Sequence, residues 1–288
     1  MLTNKVRLTA RDIHQSHLLE LIVVTASVAE TIDLAEAEKR NIKIRTIRGY
    51  ATDSVAQLTI SLMLSLACRL HYYTNFVQSG RYSQQRHFAH VGDGFVGLAG
   101  KHLGVIGLGG IGTRDAEIAQ HSGVNVVHFS TTGRNHNPRF PHVDFDELTK
   151  TLDIITIHTP RNTSTKNLID RHLLEQMKRD ALLINTGRGG IVNELDLATA
   201  LLEGVIGGAV LDVFEHEPLP PDSPLLDPRL GEKLILTPHC AWAGDGTKTL
   251  LSKTIHEVIF DHILDTDPVA ITRIECNRVR AINYGGRE

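Results

Sequence analysis

Apolar residues come in short bursts along this chain, and the bursts follow two spacings. Leu21-Ile22-Val23-Val24-Thr25 is a continuous apolar run of the kind that forms a buried strand, and Ile42–Ile47 alternates as a half-buried strand does. Between them Asp33–Arg40 has helical spacing with Asp33 placed as a cap. Met1–Val6 could be part of a strand and Ala10–Glu20 a helix. Gly49-Tyr50 makes a turn, and Thr52-Asp53-Ser54 starts a long apolar helix through Leu70. Residues 74–100 read as loop. From Leu103 onward strand and helix patterns alternate. Strands fit Leu103–Ile106, Val124–Phe129, Ile154–His158, Ala181–Asn185, Gly207–Leu211 and Leu234–Thr237. Helices fit Arg114–Gln120, Arg171–Lys178, Glu194–Glu203 and Thr247–Leu264, and 218–228 is a proline-bearing loop. Alternating strands and helices predict an α/β fold with a doubly wound parallel sheet.

The chemistry then falls at the carboxyl ends of the strands, where open α/β sheets bind ligands. After the strand at 103–106 the chain reads Gly107-Leu108-Gly109-Gly110-Ile111-Gly112, a G-x-G-x-x-G that opens a helix. Gly107 permits the turn, Gly109 lets backbone approach a pyrophosphate, and Gly112 lets the helix pack against the strand. The pyrophosphate would rest on the helix N-terminus; the alternative is a glycine-rich turn in another α/β protein. Arg188 lies among glycines in Asn185–Gly190, and an Arg fork pairs bidentately with a carboxylate. Asp212–Pro218 brings three carboxylates and a His, and Thr237–Trp242 brings His239. No H-E-x-x-H or similar ligand spacing occurs among the 16 histidines, so no metal is expected.

With 288 residues there is room for two domains, and a formal charge of −3 gives no reason to expect nucleic acid or a membrane surface as partner. Cys68, Cys240 and Cys276 are far apart and in no C-x-x-C pattern, which reads as reduced thiols in a cytoplasmic protein. The start, MLTNKVRLTARD, does not resemble a signal peptide. The apolar stretch 55–70 is broken by Gln57, Ser61 and Ser65, which suits a core or interface helix rather than a membrane span.

Taken together, these stretches resemble the D-isomer-specific 2-hydroxyacid dehydrogenases, closest to the glycerate dehydrogenase or hydroxypyruvate reductase branch. The resemblance is carried by GLGGIG at 107–112, DIITIHTP at 153–160, TKNLID at 165–170, LLINTGRGGIVNE at 182–194, GGAVLDVFEHEP at 207–218 and LTPHCAW at 236–242. LIVVTA at 21–26, GYATDSVAQ at 49–57 and FSTTGRNHN at 129–137 extend it over nearly the whole chain. It implies a Rossmann-type dinucleotide domain at 49–250. It also implies a smaller flavodoxin-like substrate domain at 1–48, completed by about 251–288, with the active site between the two. The family's substrate domain has strand–helix units ahead of the stretch matching Leu2–Lys5, so here that domain is expected to be N-terminally shortened.

The same resemblance implies roles. Arg188 matches the residue that binds the substrate carboxylate and keto oxygen, His239 the general acid/base, and Glu217 the carboxylate paired with it. Asp212 matches the residue near the nicotinamide carboxamide. Gly107, Gly109, Gly110, Ile111, Gly112, Ser130, Thr131, Arg134, Thr159, Pro160 and Thr186 would line the cofactor. Ala26, Ser27, Val28 and Ala29 match the loop whose amides hold the substrate carboxylate, with Val28 where a glycine is usual. Asp115 stands on the phosphate-binding helix where an apolar residue usually packs, and would compete with the pyrophosphate's charge. A homodimer through the nucleotide domain is implied, with the helix near 54–70 contributing.

The chemistry agrees with those roles. Reducing a 2-keto acid needs a hydride and a proton. An imidazolium can donate the proton near neutral pH, and Arg188 would stabilise the developing alkoxide. The cofactor is NAD or NADP. Ser130 stands 18 residues past Gly112 where an NAD-selective site has a carboxylate, and Arg134 could pair with a 2′-phosphate. Two other readings stay open: a phosphite dehydrogenase on the same fold, and a dinucleotide-binding relative with little catalysis. Formate dehydrogenase fits less well, because its His partner is an amide. Short-chain dehydrogenases are not expected, since no Tyr-x-x-x-Lys follows the fingerprint.

Overall fold

The short strands and capped helices are laid out in chain order in a computed structural model, which describes residues 1–133 and 137–266. The chain opens with β1 (Leu2–Thr3), α1 (Ala10–Gln15), β2 (Leu21–Val24), α2 (Leu34–Lys39) and β3 (Lys43–Thr46). Then come α3 (Thr52–Ala67), α4 (Leu70–Gln78), α5 (Arg81–Gln84), β4 (His102–Ile106), α6 (Gly110–His121), β5 (Asn125–Phe129), α7 (Phe145–Thr151) and β6 (Ile154–Ile157). The last run is α8 (Arg171–Gln176), β7 (Leu182–Asn185), α9 (Glu194–Glu203), β8 (Gly208–Leu211), β9 (Leu234–Leu236) and α10 (Asp245–Thr266). The chain divides into two compact units, 1–50 with the segment from Gly244 onward, and 51–243.

The larger unit is a six-stranded parallel sheet in the order β5-β4-β6-β7-β8-β9. An isolated parallel bridge between His128 and His142 extends its β5 edge. Both faces are covered, so the strands are apolar on both sides. Leu103, Val105, Ile154, Leu182, Ile184 and Val210 point to one core, under Ile60, Met63 and Leu66 of α3 and Ala116 and Ala119 of α6. Ile106, Ile155, Ile157, Leu183, Ala209 and Leu211 point to the other, under α8 and α9. The strand order reverses between β4 and β6, and the crevice there is where such sheets take a ligand.

The smaller unit is a three-stranded parallel sheet, β1-β2-β3. Ile22 and Val24 pack on Ile13 and Ala37 on one side. Leu21, Val23 and Ile47 pack on Leu251, Ile255 and Val258 of α10 on the other.

Several expectations are corrected in detail. The strand expected over Met1–Val6 is only two residues long, and the helix expected to Glu20 stops at Gln15 with Ser16 closing it. The stretch expected to be loop, 74–100, carries the end of α4 and all of α5. Neither helix buries a residue, so no apolar stripe marked them. Helix α7 was not expected either, although Asp144 accepts the Glu147 N–H at 2.7 Å as its N-cap. Arg134 and Cys276 lie outside the described residues.

Candidate active site

Strand β4 runs into Gly107, which turns at φ 93°, and α6 starts at Gly110. A Cβ on Gly112 would lie 2.2 Å from the Gly107 carbonyl oxygen, so only glycine lets the helix sit this close to the strand end. Gly109 is the N-cap and offers no side-chain acceptor, and the first turn carries no acidic residue. The first-turn N–H groups therefore suit an anion, and no side chain stands within 4 Å of where a Gly109 Cβ would be. Ile111 is half-buried behind this turn. These features fit a dinucleotide pyrophosphate.

The neighbouring strand ends complete the crevice. Ser130, after β5, is buried. The Thr131 hydroxyl lies 3.0 Å from that of Thr159, tying the loops after β5 and β6 together. Pro160 is exposed, and its carbonyl accepts the Thr165 hydroxyl at 2.8 Å. Thr186, after β7, is buried and shares a 2.7 Å hydroxyl contact with Thr59 of α3. Asp115 does not face the anion site as an unmatched charge. Its Oδ2 lies 3.0 Å from Nε2 of His158, and both side chains are buried.

The three residues expected to do chemistry come from the ends of β7, β8 and β9. Asn185 holds the arginine loop from inside: its Oδ1 accepts the Gly187 N–H at 3.0 Å and its Nδ2 donates to the Arg188 carbonyl at 2.9 Å. The Arg188 guanidinium folds back to donate to the Gly187 carbonyl at 2.8 Å. A Cβ on Gly189 would stand 1.7 Å from the Phe214 carbonyl oxygen, so the arginine loop lies directly on the loop after β8. From that second loop Glu217 accepts the Phe214 N–H on Oε1 at 3.1 Å, and its Oε2 lies 2.7 Å from Nδ1 of His239. His239 is one of four described non-glycine residues with a left-handed backbone, at φ 52°. Val28 is not among them.

Asp212 is fully buried and its carboxylate is already engaged. It accepts the Thr237 hydroxyl at 2.6 Å, the Cys240 N–H at 3.0 Å and the Ala241 N–H at 2.9 Å. In this arrangement Asp212 holds both flanks of the His239 turn. Burial, and then the adjacent Asp212 charge, push the Cys240 thiol up, which disfavours its thiolate. In the smaller unit Ala26 and Ala29 pack on the core while Ser27 and Val28 are exposed. Sequence reasoning did not reach Thr59, Asn185 as the loop clamp, or Glu194, whose Oε1 accepts the Glu215 N–H at 2.6 Å. Only Asn185 left a signal, an amide ahead of a glycine-rich turn.

Comparison with known proteins agrees with this geometry. The model of the D-isomer specific 2-hydroxyacid dehydrogenase NAD binding domain matches residues 60–241. The chain belongs to this family.

Among its relatives in that family is a glycerate dehydrogenase of Methylorubrum extorquens. It is 36% identical over 262 residues, which span 91% of this chain and 79% of that protein. A glyoxylate reductase of Korarchaeum cryptofilum is 33% identical over 243 residues, 83% of this chain and 71% of the other. Among solved structures, the D-lactate dehydrogenase of Aquifex aeolicus with NAD and lactic acid superposes with a TM-score of 0.79 at 26% identity. It covers 91% of this chain and 82% of its own. The Rossmann-type sheet and an NAD(P)-dependent oxidoreduction of 2-hydroxy acids follow from the family.

Proposed function

We propose that this chain reduces a small 2-keto acid, glyoxylate or hydroxypyruvate, to the corresponding 2-hydroxy acid, and runs the reverse oxidation. The observation that carries the reading is the 2.7 Å contact between Glu217 Oε2 and His239 Nδ1 beside the Arg188 loop. The carboxylate fixes the imidazole tautomer, so Nε2 is the nitrogen that exchanges a proton with the substrate oxygen. Arg188 pairs with the substrate carboxylate and stabilises negative charge on the oxygen as it becomes an alkoxide. When bound at Gly107–Gly112, a reduced nicotinamide dinucleotide supplies the hydride. Ala26, Ser27, Val28 and Ala29 are proposed to offer backbone amides to a carboxylate. The names of the relatives, glycerate dehydrogenase and glyoxylate reductase, support this substrate class.

Both cofactor forms are proposed to work. Ser130, Thr131, Thr132 and Gly133 follow β5 without a carboxylate to repel a 2′-phosphate. Steady-state oxidation of NADH and NADPH with glyoxylate, hydroxypyruvate and pyruvate tests the whole reading. Turnover is expected with the first two acids and with either cofactor. Dinucleotide binding with no turnover would favour a non-catalytic relative, and a preference for NADH above about a hundredfold would sink the NADPH part.

The assembly is proposed to be a homodimer through the larger unit, acting in the cytoplasm. Helix α4 and the segment after it leave Leu70, Val77, Phe88, Val91 and Phe95 exposed, with Phe88 at 94% of its full surface. Sedimentation equilibrium is expected to give twice the chain mass, and Phe88→Glu to lower it to one. A monomeric wild type would overturn this.

A further inference from the structure

Glu194 is the first residue of α9, and it follows Arg188 by six positions. Its neighbour Asn193 caps the helix by accepting the Asp196 N–H at 3.1 Å, so helix capping does not occupy the Glu194 carboxylate. That carboxylate instead reaches across to another loop and takes the Glu215 N–H at 2.6 Å.

Glu215 lies in the turn that presents Glu217. Within the turn, Glu217 Oε1 takes the Phe214 N–H at 3.1 Å and Oε2 meets His239 Nδ1 at 2.7 Å. The Glu215 side chain is held separately, by Arg161 Nη2 at 3.1 Å. Two consecutive backbone N–H groups, of Phe214 and Glu215, are thus fixed by two different glutamates. Only one of those glutamates touches the histidine. The carbonyl between those two N–H groups is the one that Gly189 packs against, at a distance no side chain allows.

We propose that Glu194 is a positioning residue for the Glu217–His239 pair. By accepting the Glu215 N–H it fixes the turn from which Glu217 reaches His239. Because it sits at the start of the helix that follows the Arg188 loop, it also keeps that turn in register with Arg188. The inference rests on the proposed role of Arg188, Glu217 and His239. Its physical force is geometric: a reacting group displaced by about 1 Å loses on the order of a hundredfold in rate.

The environment of Glu194 is consistent with this role. Burial pushes its carboxyl up from the ordinary Glu range against the opposing Glu215 N–H, and the Glu215 and Glu217 charges add to the rise. His216 is the facing group that favours the ionised form. The residue is half-buried at this crowded point, where an amide could accept the same hydrogen bond without adding charge.

The test compares Glu194→Gln, Glu194→Met and Glu194→Asp with the wild type. Gln keeps an oxygen at the same reach. Met keeps the shape without an acceptor, and Asp is one methylene too short. Met is expected to lower kcat for 2-keto acid reduction at least about tenfold, with the KM for dinucleotide changed less than about twofold. Gln is expected to restore kcat to within about threefold of wild type. Amide hydrogen exchange at Glu215, measured without substrate, is expected to quicken at least about tenfold in Met and Asp but not in Gln. A Met variant with wild-type kcat would overturn the proposal, as would a Gln variant as slow as Met. Equal Glu215 exchange in wild type and Asp would do the same, and Asp carries the comparison should Met fail to fold. A wild type that turns over no 2-keto acid sinks the proposed function, while the exchange comparison still decides whether Glu194 pins the turn.

Discussion

Arg188→Ala is expected to lower kcat/KM for 2-keto acid reduction by about 10²–10³-fold, the usual cost of losing one charge-stabilising donor in the transition state. The side chain is proposed to meet both the substrate carboxylate and the oxygen that becomes an alkoxide, so its loss acts on binding and on rate. The guanidinium gives the loop one hydrogen bond, to the Gly187 carbonyl, and the other contacts that hold the loop do not involve it. Asn185 holds Gly187 and the Arg188 carbonyl through the backbone, and Gly189 packs on Phe214 regardless of the Arg188 side chain. Melting temperature and dinucleotide affinity should therefore stay near wild type, which separates this loss from misfolding. Arg188→Lys should recover little, since an ammonium cannot present the planar fork. Activity within about threefold of wild type in the Ala variant would remove Arg188 from the mechanism.

His239→Asn separates activity from stability. Loss of a positioned general acid is expected to lower kcat by about 10²–10⁴-fold. The backbone at 239 is left-handed, at φ 52°, a region in which His and Asn are both several-fold enriched, so Asn fits the turn without added strain. Asn is therefore expected to keep the melting temperature near that of the wild type while lowering turnover by that factor. Differential scanning calorimetry beside the kinetics checks both halves. A fall of several degrees would mean that the Glu217 contact stabilises the turn.

Much of this was readable in the chain because the informative features are local. A G-x-G-x-x-G after a strand needs only its neighbours to be recognised, and the strands from 103 to 237 show as apolar runs because both sheet faces are buried. What stayed hidden depends on contacts distant in sequence. The Asp115 partner His158 is 43 positions away, and the carboxylate looked like a misplaced charge until the fold brought them together. Glu194 and Glu215 are 21 apart, one opening α9 and the other in the turn after β8. Asp212 reads as a ligand-facing carboxylate in a motif, yet its oxygens are taken by the Thr237 hydroxyl and two backbone N–H groups. Helices α4 and α5 escaped for the opposite reason: their sequence is rich in aromatics and they bury nothing, so periodicity had no core to report.

The buried Asp115–His158 pair also constrains how this protein can drift. An apolar residue at either position alone leaves the other polar group buried without its partner, at about 1–3 kcal/mol. Replacing both by apolar residues of similar volume is close to neutral. The two ends of that path are viable and the midpoint is not comfortable, so sites on a helix and a strand end are bound to a common history. A lineage that carries the aspartate is expected to keep the histidine, and one that loses either is expected to lose both.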